Sequence, residues 1–231
     1  MKKTLALVLL LACTVVQAQT INTEHKARKA KAAMLKAFGG ETALKAISHF
    51  DYTIIRTDYS GDTTFTRTNY TLDLNHKYVR ETRFTATDTV TSWISAEGAW
   101  LLQNGKQTEL PQQDKERLQR VFLTNFIPML RDNSLTYLFK ERTKYKSRTA
   151  DIIQVYTYGA NMHVMDLFVD TRNGRILTSS RPDAKTGIYT YFADELDYQP
   201  IGEGIVFPLV YQIWVNGKLL TVGKFENVQI K

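Results

Sequence analysis

The chain has 231 residues, 30 Lys and Arg against 23 Asp and Glu, one cysteine and 11% aromatic residues. One all-β domain can be that long and can bury a sizeable core. A formal charge of +7 suits weak attraction to an anionic lipid surface, but the basic residues form no stripe of the kind that binds nucleic acid, so no nucleic-acid partner is expected.

The first residues read as a targeting segment. Met1-Lys2-Lys3 is a positive start, Thr4 to Val16 is apolar almost throughout, and Val16-Gln17-Ala18 places small side chains where a signal peptidase reads. The apolar run is shorter than the roughly 20 residues a bilayer span requires. Residues 1–18 are therefore expected to be a signal peptide and 19–231 a single periplasmic domain. Leu10-Leu11-Ala12-Cys13 is a poor lipoprotein box, so Cys13 is an alternative lipid anchor. With Cys13 removed the mature chain has no thiol, which excludes disulfides, zinc–thiolate sites and cysteine nucleophiles.

Glu24 to Phe38 carries apolar residues at helical spacing (Ala27, Ala30, Ala33, Met34, Ala37, Phe38) and ends at Gly39-Gly40. A short helical turn over Glu41 to Ile47 follows. The period then changes to two. Strands are predicted at His49–Thr57, Thr63–Leu72, Lys77–Thr85 and Thr89–Ser95, and Asn104-Gly105 joins Ala99–Gln103 to Lys106–Glu109 as a tight hairpin. Gln112 to Arg131 reads as a helix with Leu118, Phe122, Phe126 and Leu130 on one face, kinked or ended by Pro128. Asn133–Phe139 reads as a further short helix. β pattern resumes at Arg142–Lys146, Asp151–Tyr158, His163–Asp170, Arg175–Ser180, Thr186–Ala193, Glu195–Tyr198, Ile205–Val215 and Lys218–Ile230, with Asn216-Gly217 as the last hairpin turn. Short turns join nearly all these strands, so an antiparallel meander of eleven to thirteen strands is expected.

No catalytic constellation emerges. Gly-x-Ser-x-Gly, Ser-x-x-Lys, phosphate-loop, dinucleotide and His-Glu-x-x-His patterns are all absent, and His25, His49, His76 and His163 stand at no metal-ligand spacing. Asp170-Thr171-Arg172-Asn173-Gly174 lacks the distal acidic ligand of a calcium loop and reads as a plain turn. No metal, no cofactor and no enzymatic activity are expected. A carboxylate-pair hydrolase built from Asp51, Asp58, Asp166 or Asp170 is the weaker alternative, against solvated sheet faces.

The aromatic content points further. Large rings lie along the strands and the central helix, and either fill an ordinary core or line a hollow suited to an acyl chain. On the second reading Trp93, Trp100, Phe122, Phe126 and Trp214 line the cavity or its lid, and the apolar half of Gln112–Arg131 is that lid.

Three local pieces resemble one superfamily. They are Met34-Leu35-Lys36-Ala37-Phe38-Gly39-Gly40 with Leu44-Lys45-Ala46-Ile47, Ala96-Glu97-Gly98-Ala99-Trp100 before Asn104-Gly105-Lys106, and Gly204-Ile205-Val206-Phe207-Pro208 with Asn216-Gly217-Lys218 and Phe225-Glu226-Asn227-Val228. Together with the order of elements, they resemble the LolA/LolB-like fold of lipoprotein carriers and receptors, which the stress regulator RseB shares. The resemblance implies a mainly β, α+β protein. Its antiparallel curved sheet forms a half-barrel, covered by an N-terminal helix and a central helix, over a cavity that accepts acyl chains. It implies a non-enzymatic carrier or receptor for a lipid or acylated protein. Transient contact with a membrane surface and a monomeric state are separate expectations. Arg56, Arg67 and Arg80, on early strands, are candidates for the family's acyl-binding arginine. The competing reading is an envelope sensor or interaction module with a filled core.

Overall fold

In a computed structural model, residues 23–85, 87–157, 162–183 and 185–231 are described. The expected signal peptide and Cys13 lie outside them. Among the described residues thirteen strands form one antiparallel, open sheet in the order β6-β5-β4-β3-β2-β1-β13-β12-β11-β10-β9-β8-β7. The first meander comprises β1 His49–Asp58, β2 Thr64–Asp73, β3 Tyr78–Phe84, β4 Thr89–Ser95, β5 Gly98–Gln103 and β6 Lys106–Glu109. The second comprises β7 Leu135–Tyr145, β8 Arg148–Thr157, β9 His163–Asp170, β10 Ile176–Pro182, β11 Tyr189–Gly202, β12 Ile205–Val215 and β13 Lys218–Ile230. The two halves join where β1 pairs with β13. The sheet curves into a half-barrel without closing, as the α+β expectation required.

Turn chemistry fixes the hairpins. Asn104-Gly105 and Asn216-Gly217 have positive φ at both central residues, the geometry whose twist matches paired strands. Glu203-Gly204 adopts the same conformation between β11 and β12 without an asparagine.

Four helices occupy the inner side among the described residues: α1 (residues 23–37), α2 Glu41–Ala46, α3 Gln112–Thr124 and α4 Phe126–Arg131. Helix α1 and the turn that ends it bury Ala30, Met34 and Phe38 in the main core with Leu44, Phe50, Leu72 and Phe207. Two glycines seat it. A Cβ at Gly174 would lie 2.2 Å from the Ala33 carbonyl oxygen, and one at Gly39 would lie 2.5 Å from the Gly204 carbonyl oxygen. Both have positive φ, so no other residue type allows that approach without strain.

Two sequence expectations need correction here. The central helix breaks at Asn125, not at Pro128. Asn125 is extended and its side chain accepts a hydrogen bond from the Ile127 amide, capping α4. Pro128 then falls in the first turn of α4, where its missing N–H costs little. Asn133–Phe139 is not helical: Asp132 caps a turn by accepting from the Ser134 amide, and Leu135 and Tyr137 start β7 with alternate burial. No helix among the described residues is long and apolar enough to cross a membrane.

Candidate functional site

Alternation along the strands sends one set of side chains inward. On β1 these are Phe50, Tyr52 and Ile54, and on β12 and β13 they include Phe207, Tyr211, Ile213 and Phe225. Their rings touch in a continuous floor. Tyr52 stacks on Tyr70 with centroids 5.0 Å apart, meets Phe225 at 5.4 Å, and Phe225 meets Phe207 at 5.1 Å. Glycine shapes one end of it. A Cβ at Gly223 would fall 2.1 Å from the Tyr211 ring, so the bare backbone lets that ring lie flat along the wall.

Above the floor the α3–α4 segment leaves a hollow of about 540 Å³. Val121, Thr124, Asn125 and Phe126 form its roof, and Met165, Ser179, Ser180, Tyr191, Ala193 and Glu195 complete its wall. A second hollow of about 710 Å³ opens on the other side of α3. Val79 and Ile94 form its base, Phe122, Leu123 and Pro128 its roof, and Lys45, Lys77 and Arg131 its rim. Leu118, fully buried, sits on α3 as the helix passes into the core.

Three contacts hold the roof down. Arg117 of α3 forms an ion pair with Glu81 of β3, whose carboxylate is 2% exposed and also meets Arg83 Nε at 3.3 Å. Tyr137 Oη donates to the Met129 carbonyl of α4 at 3.1 Å. Arg131 donates to the Lys45 carbonyl and to Asn75 Oδ1, tying α4 to α2 and to the β2–β3 turn.

Glu195 is the unusual group. It lies half-buried on the hollow's wall, and among the described residues no hydrogen bond or ion pair holds its carboxyl. Burial, with help from the neighbouring Asp194 charge, pushes its pKa well above the usual carboxylate range. The folded chain therefore binds this proton more tightly than the unfolded chain. Its contribution to stability is complete below the unfolded carboxylate pKa of about 4.3 and is lost as pH rises towards the folded value. Glu195→Gln is expected to remove that slope. In thermal melts between pH 4 and pH 8 the variant gains on the native protein as pH rises. A constant difference across that range would mean that another group titrates. Burial also raises the Tyr211 hydroxyl, to about 12.

The expected site residues divide. Phe126 roofs the first hollow and Phe122 the second. The three tryptophans line neither. Trp93 and Trp100 are cross-strand partners on β4 and β5, one residue out of step with Ile94 and Ala99, which join the core. They therefore face the outer side. Trp214 pairs with Phe192, a member of the separate outer cluster around Phe168, and lies 5.9 Å from Lys146 Nζ. Ring size pointed to these three, but strand parity decides which side a ring occupies.

The four candidate carboxylates do not converge. Asp166 and Asp170 are four residues apart on β9, roughly 13 Å along a strand. Four strands separate β9 from β1, which carries Asp51 and Asp58. Asp166 is already occupied, accepting from His163 Nε2 and Tyr189 Oη at 2.5 Å each. Of the arginine candidates, Arg56 is paired with Asp58, and neither Arg67 nor Arg80 is among the residues lining the hollows. Sequence reading passed over Glu81, Arg117, Arg120, Arg181 and Glu195. For Glu81 a signal was present: it lies two residues from Val79 and so shares its face.

No family model and no curated protein matches the chain. Solved structures do. A LolA superfamily protein from Nitrosomonas europaea superposes with a TM-score of 0.61 at 8% identity, over 89% of this chain and 93% of that one. A DUF1329 family protein from Desulfovibrio piger gives 0.57 at 9% identity, over 89% and 93%. A putative outer membrane lipoprotein-sorting protein domain from Vibrio parahaemolyticus gives 0.55 at 9% identity, over 90% and 93%. At such identities the likeness is one of fold, and the fold is LolA-like.

Proposed function

We propose that this protein is a non-enzymatic periplasmic carrier or receptor that holds the acyl chain of a lipid or acylated protein in the hollow beneath α3 and α4. The observation that carries this reading is the hollow itself, floored by Tyr52, Phe207 and Phe225 and roofed by Val121 and Phe126. Its volume of about 540 Å³ falls inside the range of about 300–1,000 Å³ usual for small-ligand sites. Each buried CH₂ is worth ~0.8 kcal/mol, so a chain of about ten carbons supplies roughly 8 kcal/mol before ordering costs. The shared fold with a putative lipoprotein-sorting domain supports the same reading. The location rests on the leader-like residues Met1 to Ala18. A solidly packed interior would have favoured the interaction-module reading instead.

The test is native mass spectrometry of protein purified from its own envelope, followed by solvent extraction. A mass excess that the solvent removes, and that a fluorescent fatty acid replaces, is the expected result. A bare polypeptide mass with no uptake of the fluorescent fatty acid would overturn the proposal.

A further inference from the structure

Two cations stand at the rim of the hollow without counter-ions. Arg120 projects from the roof helix α3, and Arg181 from β10 on the sheet side. Other arginines of the chain are matched: Arg117 with Glu81, Arg56 with Asp58 at 2.8 Å, and Arg142 with Asp151 at 2.7 Å. Among the described residues neither Arg120 nor Arg181 has a carboxylate partner. They also lie close enough to feel each other, since burial and then the Arg120 charge hold the Arg181 guanidinium below its usual pKa. Glu195, the one carboxyl lining the hollow among the described residues, is not their partner: no ion pair joins it to either arginine, and only burial and the Asp194 charge act on it, both raising its pKa. The hollow thus has an apolar, ring-lined floor and a rim where two positive charges repel each other across the gap between roof and sheet.

Such an arrangement offers an anion two guanidinium groups that no carboxylate of the described residues already occupies. A carboxylate or phosphate can accept from two guanidinium forks at once. We propose that the occupant is an anionic amphiphile, its carboxylate or phosphate clamped between Arg120 and Arg181 while its chain lies on the aromatic floor. This rests on the acyl-chain reading of the hollow and narrows it. Because one arginine belongs to α3 and the other to the sheet, the bound head group also ties the roof to the wall.

The experiment compares three probes with the same palmitoyl chain: palmitate, palmitoyl lysophosphatidic acid and the uncharged monopalmitin. Each is titrated into the native protein and into Arg120→Gln, Arg181→Gln and the double variant. The native protein is expected to prefer the anions over monopalmitin by roughly ten-fold or more. Both guanidiniums stay water-accessible, so each substitution is expected to weaken anion binding by about five-fold, and the pair by about twenty-fold. Monopalmitin affinity is expected to stay level. The melting temperature of the empty double variant should hold or rise, because a repulsion has been removed. Which anion binds more tightly identifies a free fatty acid or a phosphate head group as the source. Equal affinity for all three probes, or anion binding within two-fold of native in the double variant, overturns the clamp and leaves the acyl-chain reading standing. Failure of all three to bind overturns both.

Discussion

Arg117→Ala is expected to lower the melting temperature by roughly 5–10 °C and to loosen the roof helix. Glu81 is 2% exposed, and its carboxylate accepts from Arg117. Removing one partner of a buried pair costs about 3–5 kcal/mol, because the surviving charge stays buried without compensation. Two features reduce that here. The Arg117 side chain is 38% exposed, and Arg83 remains 3.3 Å from Glu81. About 2–3 kcal/mol is then expected, and a chain of this size loses about 2–4 °C per kcal/mol. Hydrogen exchange should quicken first in α3. The double variant Arg117→Met with Glu81→Leu should recover most of the loss, since an apolar pair avoids the desolvation of two charges. A melting temperature within 2 °C of native for Arg117→Ala would show that the pair does not pin the helix.

Ala193→Trp is expected to reduce acyl-chain binding by roughly a hundred-fold while leaving the fold intact. Ala193 lies on the wall of the hollow, on β11 opposite Ile213 of β12. An indole there occupies the space of roughly four methylenes of a bound chain, about 3 kcal/mol at ~0.8 kcal/mol each. Adding bulk to a filled core would itself cost about 1–3 kcal/mol. Here the ring enters open space, so circular dichroism and the melting curve should change little. Trp93→Ala is the control, because Trp93 faces the outer side and should not affect uptake. The reverse pattern, with binding kept in Ala193→Trp and lost in Trp93→Ala, would move the site out of the hollow.

Much of the fold was legible because local chemistry and tertiary structure agree. β4, β6, β9, β12 and β13 occupy the ranges their alternation predicts, and Asn104-Gly105 and Asn216-Gly217 turn where they should. The disagreements have local causes. β11 reads as two strands divided at Asp194, a residue type that disfavours strands; the structure carries the pairing through Ala193, Asp194 and Glu195 without a break. β7 reads as a helix at its start because a seven-residue apolar window supports either period, and the Asp132 turn before it resembles a helix cap. The site was less legible. Phe122 of α3 and Phe126 of α4 belong to a segment whose apolar face is plain in the sequence. Arg120 and Arg181 are 61 positions apart on elements that only the folded sheet brings to one rim. No spacing rule reports such a pair, and a raised carboxyl at Glu195 depends wholly on what packs around it.

The β1–β13 ladder has a consequence for how the molecule is made. Phe50 faces Ile230 and Asp58 faces Thr221, so the seam of the sheet joins the first strand to the last. Each meander can zip up from neighbouring hairpins, but the seam must close a loop spanning nearly the whole polypeptide. Loop-closure entropy comes before the reward, so the seam is expected to be the slow step, after the hairpins of each meander have paired. A chain delivered N-terminus first would hold β1 with one bare edge until the final strand arrives, which makes that edge the place where a nascent molecule is most open to mispairing with another copy.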